Sequence, residues 1–280
     1  MTWRREKKEK YLRVCQNKKL LAPLLGISRK RIYHKSVQEE KDLAVKKDIE
    51  DLHLANPAYG HKRVALALGM GHNRAKRVMK KYGIKPPRRK GKPFWLTRST
   101  NHHTYTNLIK NMIVTQPGEV FVSDLTYLKF QGRKLYLATV EDIFTREIVS
   151  ARVSDRHDSA LALSAIEEAL EAQQPQIFHS DQGSEFMATS VTGFLEKQGV
   201  KISVSAKASP WENGYKESFF GRFKDEAGDL NRFETTGELV EEIYSYLVYY
   251  NTLRIHTALK MPPVRFRKKF LDSVSQKLGT

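Results

Sequence analysis

The chain has a single cysteine, Cys15, among its 280 residues. One thiol makes no internal disulfide and rules out zinc sites built on paired cysteines. It suits a reducing cytoplasm. Long apolar runs are missing too, since none reaches the roughly 18 residues of a membrane span. No apolar segment follows the opening MTWRREKKEK, so no signal peptide is expected. Acids are scarce at the front: residues 1–100 hold 28 lysines and arginines against 8 acids, and residues 101–280 hold 21 against 23. The net charge of +18 therefore belongs to one segment. A basic front and a carboxylate-rich rear suggest a grip for a polyanion joined to a part that does chemistry. By count alone, a ribosomal-type charge would look the same. Hydrophobic residues make up 40% of the chain, enough for a packed core.

The front reads as short helices. Residues 18–36 contain an apolar helix, a turn at Gly26-Ile27-Ser28 and a basic helix, with Ser28 as a cap. That is a helix-turn-helix pattern. Leu43, Ile49 and Leu52 give a helical stripe further on. Residues 58–84 then offer two more helices, split near Gly69–Gly71, with Asn73 as N-cap of a basic helix Arg74–Lys81. Arg74, Lys76 and Arg77 on that helix are candidate phosphate or base contacts. An ordinary three-helix bundle with a solvated basic face is the plainer reading. After it, Pro86, Pro87 and Pro93 block helix, and Lys85, Arg88, Arg89, Lys90 and Lys92 repel one another, so a linker able to track a DNA backbone is expected. His102 and His103 read as polar linker residues. The expected organisation is a helix-turn-helix over 1–38, a second over 39–84, a basic linker over 85–117, a catalytic core over 118–232 and a C-terminal helix with a basic tail over 233–280.

Behind the linker the period changes to two. Residues 119–131, 135–140 and 147–153 alternate as strands, with tight turns at Gln131-Gly132 and Phe144-Thr145. A helix over 159–172, a strand at QIFHS, a helix near 188–198, a strand at VKISVS and a long helix from Trp211 follow. Three antiparallel strands and then alternating helix and strand fit an α/β sheet flanked by helices. The order matches a ribonuclease-H-like layout.

Three carboxylates stand out in this frame. Asp124 falls inside the first strand. Asp181 falls at the C-terminal end of the fourth, where ligands of open α/β sheets gather, and Gly183 allows a sharp turn. Glu217 lies on the late helix, 35 residues beyond Asp181. At about 100° per residue, Phe219 and Phe223 lie about 200° and 240° from Glu217 and can bury while it faces a cleft. Asn213 and Lys224 lie on nearly the same face as Glu217. Magnesium takes hard oxygen ligands and keeps several waters. Two such ions about 4 Å apart can serve both the attacking and the leaving oxygen in phosphoryl transfer.

The strings V-F-V-S-D-L-T-Y-L, H-S-D-Q-G-S-E-F and W-E-N-G-Y-K-E-S-F-F-G-R-F-K-D-E resemble the integrase-core motifs of bacterial insertion-sequence transposases, most of all the OrfB subunits of copy-out, paste-in elements. The tail Y-Y-N-T-L-R-I-H-T-A-L-K-M-P-P resembles that family's C-terminal signature at Tyr250, Asn251, Arg254, His256 and Leu259. A-Y-G-H-K-R-V resembles the helix-turn-helix that precedes the core. The resemblance spans residues 20–267. It implies a DNA transposase whose metal-binding acids are Asp124, Asp181 and Glu217, with Lys224 as the basic residue on the DNA. It also implies a ribonuclease-H-like core of five mixed strands behind an all-α DNA-binding region. The implied cofactor is Mg2+ or Mn2+, two ions per site. The implied partners are double-stranded DNA (the element's terminal repeats and a target), a second copy of the chain and an OrfA protein. The implied location is the bacterial cytoplasm, at the nucleoid.

The chain departs from the pattern at Phe121, Gln182, Glu212 and Gly214, none of them a catalytic acid. It carries no heptad zipper of the OrfA kind, so it reads as a separate OrfB product. Asp142 is expected to be a structural partner of Arg146 and Glu185 to be a poorer candidate than Asp181. His179 contacts DNA or fills space. Arg254 and His256 touch DNA or staple the last helix. Tyr244, Tyr246, Tyr249 and Tyr250 are expected in core and interface, and Arg265–Lys269 on phosphate. A metal-dependent nuclease of the same fold and a DNA-binding regulator with an inactive core remain open.

Overall fold

A computed structural model describes residue 26, residues 37–87, 105–205 and 214–278, the side chains of 214–218 excepted. The expected first helix-turn-helix lies outside the described residues, apart from Gly26 in its turn at φ +63°. So do Arg88, Arg89, His102, His103 and Asn213. The chain divides into two compact units, Met1–Asp51 and Leu52–Thr280. No helix of the described residues is long and apolar enough to cross a membrane.

Helix α1 (Gln38–Ala55) buries Asp42, Val45 and Ile49. Those positions repeat at three and four, as one helix face requires. The stripe therefore sits one residue away from the expected Leu43, which is half exposed. Gln38 donates to the buried Asp42 carboxylate at 2.8 Å. Helices α2 (His61–Ala67) and α3 (His72–Lys81) follow, split at the expected glycines. Gly69 takes φ +61°, the left-handed region that ends a helix cheaply. The cap of α3 is Gly71 in extended conformation, and Asn73 lies inside the helix, which begins two residues earlier than expected. Ala75, Val78 and Met79 are buried, which leaves Arg74, Lys76 and Arg77 on the exposed face.

The sheet has five strands in the order β3-β2-β1-β4-β5. They are β1 (Val120–Phe130), β2 (Arg133–Asp142), β3 (Ile148–Ser154), β4 (Ile177–Ser180) and β5 (Lys201–Val204). Strands β1 to β3 pair antiparallel, and β4 and β5 run parallel to β1. This is the ribonuclease-H-like arrangement. The β1–β2 hairpin turns through Gln131 and Gly132, both at positive φ (46° and 76°). Two such residues give the turn whose twist suits a two-residue hairpin. Asn231, in a 3-10 turn at Leu230–Arg232, accepts the Gln131 amide at 2.8 Å and holds that tip.

Alternation in β1 feeds both faces of the sheet. Leu128 and Phe130 join Leu135 and Leu137 under helices α6 (Gly214–Ala227) and α7 (Thr236–Thr252). Phe121, with Ala138 and Val140, meets α4 (Ser159–Ala172) and α5 (Thr189–Lys197) on the other side. Asp158 caps α4 by accepting the Leu161 amide at 3.1 Å. The last helix is α8 (Pro263–Leu278).

Candidate active site

The parallel pairing of β1 with β4 runs Val120↔Ile177, Phe121↔Phe178 and Val122↔His179. Continued two residues, that register sets Asp124 beside Asp181. Neighbouring strands lie about 4.8 Å apart and paired positions share a face, so the two acids can reach one small cation. Both are half-buried. Asp181 Oδ1 accepts the Gly183 amide at 2.9 Å, which fixes the turn after β4. Burial raises the Asp181 carboxyl above its ordinary value; the Gly183 amide opposes this and the charge of Glu185 adds to it. A carboxylate so placed gains from a nearby cation.

Beneath the acids the sheet is closed. His179 is fully buried, its Nδ1 is 2.9 Å from Ser203 Oγ, and it fills the floor instead of meeting DNA. Glu185 lies 3.4 Å from His157 and is engaged there. Asp142 is a structural acid. Its carboxylate accepts the amides of Gly118 (2.8 Å), Phe144 (2.7 Å) and Thr145 (3.2 Å). It therefore organises the β2–β3 turn through backbone groups, and its tie to Arg146 is also backbone, Arg146 N–H to Asp142 C=O at 2.8 Å. Burial raises its carboxyl despite those amides.

Glu217 falls in the first turn of α6, and its side chain lies outside the described residues. The helix phase expected from the sequence holds at Phe219 (1% exposed) and Phe223 (0%). Phe219 packs edge-on to Tyr250 and Phe223 edge-on to Tyr246. Seven residues past Glu217, the exposed Lys224 donates to Thr126 Oγ1 at 2.7 Å. Thr126 is two residues past Asp124, so α6 reaches the same face of β1 as the acid. Thr126 was not among the residues expected from sequence, although its parity with Asp124 signals it. Among the described residues, no three His, Cys, Asp or Glu side chains form a group that could hold a metal. Asp124 and Asp181 are the pair that the β1–β4 register, extended two residues past Val122↔His179, would set side by side.

The far end of α6 carries what sequence reasoning missed. Glu226 accepts Arg254 Nε at 2.8 Å and Nη2 at 2.5 Å, and the Tyr246 hydroxyl at 2.9 Å. Arg63 of α2 approaches it at 3.9 Å. Burial alone would raise the Glu226 carboxyl, but Arg254, Tyr246 and Arg63 hold it below its ordinary value. Of the two expectations for Arg254, the staple is the one found: its side chain is 0% exposed. His256 is kept neutral, its pKa pushed down to about 3 by burial and by Arg222, Arg146, Arg254 and Arg63. Asn251 receives the Ile148 carbonyl's partner role, donating to that oxygen at 2.9 Å and accepting the Ile148 amide at 3.0 Å. Tyr59 accepts the Ile255 amide at 2.8 Å, and Tyr249 donates to Asn56 at 2.7 Å. In the 265–269 run, Arg267 turns inward to Glu147 at 3.4 Å, while Arg265, Lys268 and Lys269 stay exposed. A pocket of about 310 Å³ lies away from the acids, between α2 and α3, with His61, Lys76 and Lys80 on its wall.

Two family models, both described as integrase core domain, match residues 114–210 and 198–263. The chain is 30% identical over 269 residues to the insertion element IS600 31 kDa protein of Shigella sonnei, covering 89% of this chain and 98% of that one. It is 31% identical over 241 residues to the putative transposase InsK for insertion sequence element IS150 of Escherichia coli, covering 82% and 85%. Among solved structures, the catalytic core domain of HTLV-2 integrase in complex with magnesium superposes with a TM-score of 0.46 at 20% identity, over 54% of this chain and 97% of that one.

Proposed function

The chain belongs to the insertion-sequence transposases that carry an integrase core, and from that premise we propose that it cleaves the ends of its element and joins them to target DNA at a site made by Asp124, Asp181 and Glu217. As a member it is a polynucleotidyl transferase. What supports the site is the β1–β4 register, which ends at Val122↔His179 and, if extended by two residues, would set Asp124 opposite Asp181. The donor set fits a hard divalent cation: carboxylate oxygens, one of them raised by burial. Mg2+ or Mn2+ held by these acids, two ions to a site, would supply an activated attacking oxygen and a stabilised leaving oxygen.

The protein's own groups do the rest. Lys224, braced on Thr126, sets a fixed positive charge beside Asp124 for a backbone phosphate. Arg74, Lys76 and Arg77 hold the terminal repeats, with Arg88, Arg89 and Asn213 as further DNA contacts. Two element ends need at least two protomers, and an OrfA protein is a further partner. Residues 39–84 would choose the ends and residues 118–232 would perform the transfer. The test is a strand-transfer assay on labelled duplex from the DNA flanking the gene, with Mg2+ or Mn2+, beside Glu217→Gln. Nicked and joined products that need metal and vanish in the mutant are expected. Nicking without joining would mark a nuclease. Tight end binding without cleavage in either metal would mark a DNA-binding regulator or a chain that needs its OrfA partner.

A further inference from the structure

Tyr127 is 50% exposed in a strand where Phe121 (0%), Val122 (1%), Leu128 (2%) and Phe130 (3%) are shut in and Leu125 is partly buried. A lone exposed aromatic is common on soluble proteins and means little by itself. Its surroundings mean more. Lys224 Nζ lies 5.0 Å from the ring centroid and Lys134 Nζ 5.6 Å. Both lie within the roughly 6 Å at which an ammonium is held by a ring. Lys129, paired with Lys134 across the hairpin, is exposed as well. The ring thus stands half exposed between two ammonium groups, with a third lysine exposed two residues along the strand.

The place in the sheet matters as much. Strand β4 pairs with β1 only as far as Val122. Beyond that, among the described residues, β1 pairs with β2 alone. Among the described residues no strand pairs with its other edge past Val122, and α6 puts Lys224 on Thr126. Tyr127 is three residues past Asp124, about 10 Å along the strand.

We infer that Tyr127 is a stacking platform for one unpaired base of the DNA end beside the scissile phosphate, with Lys134 and Lys224 taking the neighbouring phosphates. This rests on the transposase site proposed above. A strand end entering a carboxylate-lined cleft has to leave its own stack, which costs unstacking and unpairing energy. An aromatic face returns part of that cost without reading sequence, because every base has a π-face. Flanking ammonium groups add a salt-dependent hold on the backbone. Lys224 thereby links the two parts: it is braced by Thr126 on the acid side and lies against the Tyr127 ring on the other.

The test is photocrosslinking of end duplexes that carry 5-iododeoxyuridine in a short unpaired tail next to the cleavage position. It is done without metal and in the Glu217→Gln protein, with affinity measured for tailed and blunt duplexes. The expected adduct is on Tyr127. Tyr127→Ala should lose the adduct and weaken binding of the tailed duplex by about tenfold, the size of one lost stacking contact, with blunt duplex unchanged. Tyr127→Phe should keep both. An adduct mapped elsewhere, an equal loss on both duplexes, or a Phe variant as weak as Ala would each overturn the platform. Because no cleavage is required, these results stand apart from the acid site: a Glu217→Gln protein that still joined strands would sink that reading and leave the crosslink readable.

Discussion

Arg254 and Glu226 form the pair on which a quantitative test turns. The Arg254 side chain is fully buried and that of Glu226 nearly so, at 0% and 11% exposure. Two hydrogen bonds of 2.8 and 2.5 Å join them. Removing one partner of a buried ion pair strands the other charge and costs about 3–5 kcal/mol. The two removals should differ. Arg254→Met leaves Glu226 with the Tyr246 hydroxyl at 2.9 Å and with Arg63 at 3.9 Å, so its cost should sit at the lower end of that range. Glu226→Gln leaves a guanidinium sealed from water without its counter-charge, and its cost should sit at the upper end. The double variant Arg254→Met with Glu226→Leu removes both charges and fills the space with apolar atoms, so it should cost less than the sum of the singles, with a coupling of about 1–3 kcal/mol. Urea unfolding followed by far-ultraviolet circular dichroism measures all three. Single variants within about 1 kcal/mol of wild type, the behaviour of exposed ion pairs, or strict additivity would refute the reasoning.

The same carboxyl gives a pH dependence. Burial pushes Glu226 up from its ordinary 4.5, but its hydrogen bonds and the two arginines bring it below that value. An acid with a depressed folded pKa contributes stability that is complete above its unfolded pKa and is lost as pH falls through the folded one. Wild type should therefore lose stability on acidification below 4.5, and Glu226→Gln should lose less over that window; parallel acid-unfolding curves would contradict this. Asp142→Ala would leave three backbone amides without their acceptor, so a loss of about 3 kcal/mol is expected in the same urea experiment. A loss under about 1 kcal/mol would mean that the β2–β3 turn does not depend on it. Lys224→Met should slow joining while leaving the fold intact by circular dichroism, and should lower the salt slope of end binding by about 0.9 for one lost phosphate contact. An unchanged slope would take Lys224 off the DNA.

What the sequence disclosed about this protein was local. Alternation over 119–131 gave β1 its faces, and a turn at Gln131-Gly132 gave the hairpin its register. From those two facts Asp124 already lies mid-strand on the face away from Phe121. The position of Asp181 followed from a short apolar strand running into Gly183. The phase of α6 followed from Phe219 and Phe223. Errors came where a local rule had a near-equal competitor. Asn73 is a good cap by type, yet Gly71 in extended conformation ends the turn first. Leu43 is more hydrophobic than Asp42, yet Asp42 shares a face with Val45 and Ile49 and has Gln38 to satisfy it. The Glu226–Arg254–Arg63 cluster had no local signal, because it joins residues 63, 226 and 254 through tertiary packing. In the tail, Arg254 and His256 looked equally suited to DNA and to structure until burial decided Arg254.

The proposed site is consequently held by two different kinds of structure. Asp124 lies in β1 and Asp181 just past the end of the parallel β4, two residues beyond the last backbone pairing of the two strands, Val122 with His179. Glu217 comes from a helix that no ladder holds. Side chains set the position of α6: Phe219 and Phe223 against Tyr250 and Tyr246, Lys224 on Thr126, and Glu226 in the grip of Arg254. The helical segment before the core shares that grip through Arg63. A one-ångström shift of a catalytic group can cost about a hundredfold in rate. Loosening Glu226 should therefore reach the chemistry through Glu217 while the two strand acids stay in place. The corresponding signature is a joining rate that falls in Glu226→Gln with end-binding affinity unchanged, and a rate that tracked binding instead would mean that α6 is held well enough without the pair.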